Sequence, residues 1–200
     1  MSQIVEAPPE ISALYQAFTH PCAYSRHSKE FCPVIEYAVL LVFPAAMAFA
    51  GAMDLFTMTI PNRISIVLVV AFGVAAAMTG IGWAGLANHV GAGFLMLGVG
   101  IGMFALGWLG GGDAKLLAAT ALWIGFDHLI GYLLVAGIAG GLLAIAILIY
   151  RSMLPPLWLA RQGWALRLLG ARTGIPYGIA LAAAGLHIYP STGWLTSVGV

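Results

Sequence analysis

Few side chains in this chain are reactive, and two carboxylates stand out. Asp54 closes one long apolar stretch, and Asp113 opens another within Gly110-Gly111-Gly112-Asp113-Ala114-Lys115. An ionised carboxylate is costly in or beside hydrocarbon, so each is a functional candidate by default. Two acids at the ends of membrane segments, one set among glycines, point to hydrolysis by paired aspartates. That chemistry needs one ionised and one protonated carboxyl sharing a water. The pair then holds a single proton, because two like charges a few ångströms apart resist ionising together. The ionised member takes a proton from water while the protonated one polarises the scissile carbonyl. Titration belongs to the pair rather than to either member.

The neighbours of Asp113 have parts of their own. A run of three glycines permits unusual backbone angles and leaves room for a substrate strand beside the main chain. Gly110, Gly111 and Gly112 are therefore expected to shape a substrate cleft. Lys115 reads as a charged anchor at the membrane face, or alternatively as a group that contacts substrate or biases the aspartates. Simpler roles stand beside these. Asp54 could cap a segment or meet lipid headgroups, and Asp113 could be a helix N-cap, which is compatible with catalysis. His20, His27, His89, His128 and His187 do not cluster with acids at ligand spacing, so neither a metal nor a cofactor is expected. Cys22 and Cys32 match no common zinc or redox pattern.

The secondary structure that carries these residues is set by composition. The chain of 200 residues is 62% hydrophobic and 8% charged, with a mean hydropathy of +0.98. Soluble domains carry about 25% charged residues, so an all-α polytopic membrane protein is expected. Six apolar segments fall at about 35–53, 64–82, 90–109, 114–131, 132–150 and 175–193, each near the roughly 20 residues a spanning helix needs. The break between the fourth and fifth is weak and is placed near Asp127, His128 and Gly131, which read as a solvated loop. Glu36, at the start of the first segment, also reads as solvated. Residues 1–34 form a tail in which Ile11, Leu14, Tyr15 and Phe18 predict a short interfacial helix. No basic start followed by an apolar run marks a cleavable signal, so the first apolar segment is expected to direct insertion. Residues 35–200 form one membrane domain. A second interfacial helix, or a lid, is expected over 155–174. A net charge of +1 without a basic patch gives no case for nucleic acid.

Charge fixes the expected orientation. Of the eight lysines and arginines, Arg63, Lys115, Arg151, Arg161, Arg167 and Arg172 fall in the first, third and fifth loops. Positive loops mark the cytoplasmic side. Arg26 and Lys29 in the tail oppose this and are outnumbered. Asp54 and Asp113 then share the cytoplasmic face, since an even number of spans separates them.

Longer motifs surround the two acids. Asp54 precedes Ile60-Pro61-Asn62 by six residues; Asp113 and Lys115 end a Gly-x-Gly-Asp-x-Lys pattern. Leu116 to Ala119, Leu122 to Gly125 and Ile175-Pro176-Tyr177-Gly178-Ile179-Ala180 come after them. Taken in this order, they resemble the prepilin peptidases over about 35–190, and the compact form resembles those of tight-adherence (Flp-type) pili. The resemblance implies an inner-membrane aspartyl endopeptidase with Asp54 and Asp113 as the catalytic pair. It implies prepilin and pseudopilin precursors as partners, cut after a glycine that precedes their apolar helix. The bifunctional relatives carry a cysteine-bearing insertion that also methylates the product. The short first loop here holds no cysteine, so no methyltransferase activity is expected. Two departures stand out: residues 55–59 are mostly apolar where relatives carry basic ones, and the tail is long.

Two rivals differ in what they require. A presenilin-like protease would want a Tyr-Asp pair and a Pro-Ala-Leu turn, and neither is present. A proton- or cation-coupled transporter would place its acids near the midplane of broken helices. Tyr177 is expected either to donate a hydrogen bond near the site or to pack. Substrate identity and oligomeric state are not legible.

Overall fold

The computed structural model describes residues 33–152, Gly163 and 174–194. The tail with its predicted helix, both cysteines and most of the 155–174 stretch lie outside these residues. The described chain is helical: α1 Pro33–Thr57, α2 Asn62–Thr79, α3 Trp83–Ala105, α4 Gly111–Ser152, α5 Tyr177–Ile188, then a 3-10 turn Tyr189–Ser191.

Turn chemistry sets the boundaries. Pro61 enters α2 at φ −63° and ψ 135°, the extended conformation that suits a residue just outside a helix. Gly80 ends α2 in the left-handed region at φ 64°, its N–H donating to Ala76 O. The second loop is therefore only Gly80 to Gly82. Trp83 to His89, expected to be a break, belong to α3, because alanines, Leu86 and Val90 continue the apolar pattern through that polar stretch.

α4 is two helices. Gly125 sits at φ 71° and ψ 174°, a conformation open essentially to glycine alone. The chain reverses there. Near the start of the first arm, Gly112 faces Ile60, and Ile60 in turn faces Gly178 at the start of α5; farther along, Thr120 meets Gly185. The first arm thus runs parallel to α5. In the second arm Gly131 faces Ile188 and Gly140 faces Tyr177, the antiparallel order. The expected break near Asp127 to Gly131 is corrected to Gly125. Asp127 and His128 are helical, since one glycine outside helical angles turns the chain without a polar loop.

Small residues set how closely the helices pack. A Cβ at Gly51 would lie 3.1 Å from Ala182 Cβ, one at Gly100 3.0 Å from Ala114 Cβ, and one at Gly93 3.2 Å from Leu122 Cβ. Such seams suit helices in lipid, where van der Waals contact must supply the association. Large apolar side chains including Ile66, Val70, Phe94, Ile130, Leu134 and Ile138 face outward, as expected when the solvent is hydrocarbon. Four helices, α1 to α4, are long and apolar enough to cross a membrane, so this is a membrane protein. The first arm of α4 and the 12-residue α5 fall short of the roughly 20 residues of a full span. The described arginines and lysine are Arg63, Lys115 and Arg151. All three lie at the same end of the bundle as Asp54 and Asp113, Lys115 bonding Asn62 and Arg151 bonding Gly174 O.

Candidate active site

Asp54 occupies the last turn of α1, inside the helix rather than beyond it. A tight, polar turn comes next. Met58 takes φ 55°, and its N–H donates to Asp54 O at 2.9 Å. The Thr57 hydroxyl donates back to Met53 O at 2.7 Å and lies 2.9 Å from the Thr59 hydroxyl. A left-handed residue here ends the helix and turns Ile60 inward, where it is buried. Asn62 then opens α2.

The Asp54 side chain is 4% exposed, and its Oδ2 has no hydrogen-bond partner. It faces the first turn of α5 at Gly178 and Ile179, where the helix dipole favours negative charge; the Ile179 N–H itself donates to Pro176 O at 3.3 Å. Pro176 at the cap position supplies no side-chain bond to this turn. The carboxylate comes from another helix and lies against that turn, its Oδ2 facing Gly178 without a hydrogen bond.

Asp113 is the third residue of α4, half-buried, with its carboxylate turned back over Gly110. That is where an acidic residue reaches the amide of the cap position; it is not itself the N-cap. The carboxyl also feels the charge of Asp54. The site is therefore built by three helix ends: the last turn of α1 and the first turns of α4 and α5. Ile60 is wedged between the latter two. A Cβ on Gly112 would lie 3.1 Å from Ile60 Cβ, and one on Gly178 would lie 2.6 Å from Ile60 Cδ1.

The glycine run works through space rather than through angles. None of Gly110, Gly111 and Gly112 has positive φ, and Gly111 and Gly112 are helical, so the expectation of unusual backbone angles is corrected. A Cβ at Gly110 would sit 2.9 Å from Asp113 Oδ2. Lys115 is exposed and donates to Asn62 Oδ1 at 2.9 Å, tying the start of α4 to the start of α2. Tyr177 packs on Gly140, where a Cβ would approach its ring to 3.0 Å, so it serves helix packing.

Ile60, Asn62 and Gly178 were given no site role by the sequence alone. The Ile-Pro-Asn and Tyr-Gly pairs were visible, but not that they meet. A cavity of about 560 Å³ lies between α2, α3 and the first arm of α4; Lys115 lines it and neither aspartate does. What marks the site is the pair of carboxylates. Among the described residues no group of histidine, cysteine and acid is arranged to hold a metal.

No curated protein and no solved structure matches the chain. Residues 41–145, more than half of the sequence, match the profile of the type IV leader peptidase family. The match spans Asp54, Ile60-Pro61-Asn62, Asp113 and Lys115, and stops short of α5. On that evidence the chain belongs to the type IV leader peptidase family.

Proposed function

We propose that this protein is an aspartyl endopeptidase that removes the leader from Flp-like type IV prepilins at the cytoplasmic face of the bacterial inner membrane. The observation that carries this is the Asp54 carboxylate. It is buried with one oxygen unpartnered and within electrostatic reach of Asp113. A buried polar atom without a partner costs about 1–3 kcal/mol, and such a group calls for an explanation. A water held between the two aspartates supplies one.

In the reaction, that water attacks the scissile carbonyl. Its proton passes to the ionised carboxylate as the protonated partner gives its own to the carbonyl oxygen. Collapse of the tetrahedral intermediate breaks the C–N bond, and a carboxyl proton goes to the leaving amine. No cofactor enters. Lys115, with the glycine run, lies where substrate backbone would pass. Arg63, Lys115 and Arg151 at this end support a cytoplasmic orientation by the positive-inside rule. The two arms of α4, counted separately, support six crossings, the first arm and α5 being short ones. A transporter would need its acids at a mid-membrane break. The break here is at Gly125, and Asp127 beside it is bonded to Asn88.

The test is cleavage of a candidate prepilin by membranes containing wild type, Asp54→Asn or Asp113→Asn, with insertion of each verified. Both variants are expected to be inert. Near wild-type cleavage by either would make that aspartate structural and remove the paired mechanism.

A further inference from the structure

α5 lies outside the span that matches the family, yet it closes the site. Its first turn presents the backbone of Gly178, with no side-chain cap from Pro176, while the Ile179 N–H donates to Pro176 O. Asp54, from α1, is buried against that turn. The approach is unusually close. A Cβ built on Gly178 would lie 2.8 Å from Asp54 Oδ2 and 2.9 Å from Asp54 Cγ, distances that real Cβ atoms do not tolerate. The same Cβ would also press on Ile60 Cδ1 at 2.6 Å.

We infer that Gly178 is a positioning residue: its missing side chain lets the α5 N-terminus seat against Asp54 and fixes the carboxylate toward Asp113. This rests on the proposed peptidase reading for its catalytic consequence, but not for the contact itself. Two features favour a positioning role over simple packing. Other close glycines, such as Gly51 and Gly100, meet apolar side chains or backbone, whereas Gly178 meets a carboxylate whose facing oxygen has no partner. Gly110 holds the same relation to Asp113. Each aspartate thus lies over a glycine at a helix N-terminus, with Ile60 spacing the two helices.

Gly178→Ala is expected to lower kcat about a hundredfold, the scale of a misplacement near 1 Å, with KM little changed. Gly137→Ala, where nothing lies within 4 Å of the added Cβ, should cleave normally. Ile60→Val removes the Cδ1 contact and leaves the carboxylate contact. Added to Gly178→Ala, it should not restore kcat, and full restoration would overturn the inference in favour of packing. Wild-type kcat in Gly178→Ala would overturn it as well.

Melting in detergent gives a readout independent of turnover. In the Ile60→Val background, the loss of Tm caused by Gly178→Ala should shrink when Asp54 is also changed to Ala. An equal loss in both backgrounds would mean that no carboxylate contact exists. Were wild type itself not to cleave any prepilin, the functional reading would fall, and this melting cycle would still decide the contact.

Discussion

The two ends of the first α4 arm treat their polar groups in opposite ways. At the Gly125 end, the groups freed by the chain reversal find partners. Phe126 N–H donates to Asn88 Oδ1 at 3.1 Å, and Asn88 Nδ2 donates to Asp127 at 2.6 Å. His89 Nδ1 meets Leu122 O at 3.0 Å. Trp123 donates to Leu68 O at 2.8 Å and Trp194 to Trp123 O at 2.7 Å, within a cluster of aromatic rings. At the Gly110 end, a buried carboxylate oxygen is left bare. In hydrocarbon, with no water to compensate, satisfying every group is the rule. The end that obeys it holds the bundle together. The end that breaks it is where a water and a peptide bond would be received.

That contrast can be broken most directly at the aspartates. Asp54→Asn and Asp113→Asn should each lower cleavage by roughly 10⁴-fold, the scale seen when a catalytic carboxylate is lost. Melting should stay within about 1 kcal/mol of wild type, or rise, since a costly buried charge has gone. A collapse in Tm for Asp54→Asn would mean that this end is structural too.

Trp123→Ala tests the other end. It removes a fully buried ring and the hydrogen bond from its indole N–H to Leu68 O, and should cost about 3–5 kcal/mol of stability. Turnover per folded molecule should be retained; a large fall in kcat would show that the ends are coupled. Gly125→Ala should cost less, about 1–3 kcal/mol, by forcing a side chain into a conformation reserved for glycine. The added Cβ would also lie 3.1 Å from the His89 ring. Melting temperature reports this, with kcat again unchanged. The smallest effect is expected at the rim of the aspartate end. Lys115→Ala frees Asn62 and should reduce cleavage several-fold, on the scale of one exposed hydrogen bond. An effect as large as that of the aspartates would instead give Lys115 a direct part in the chemistry.

Much of this was written in the order of residues. Apolar composition with little charge dictates membrane helices, because lipid leaves the backbone few other ways to satisfy itself. Asp54 and Asp113 were legible because acids are rare and expensive there, and the motifs around them pointed to the family. An even number of spans between the acids put them at one face, as found. Local patterns failed where a single residue outweighs a stretch. The weak polar cluster at Asp127 and His128 resembled a loop, yet one glycine, Gly125, turned the chain before it. Trp83 to His89 looked polar enough to break a helix, but Asn88 and His89 are kept in α3 by partners on α4. Only the tertiary structure could say that the Gly110 run is short of space rather than in need of special angles. It alone brings Gly178, from the far end of the chain, against Asp54. Burial and composition are properties of segments and can be read along the chain. Which atom stands against a carboxylate depends on how helices distant in sequence pack, and packing is decided in three dimensions.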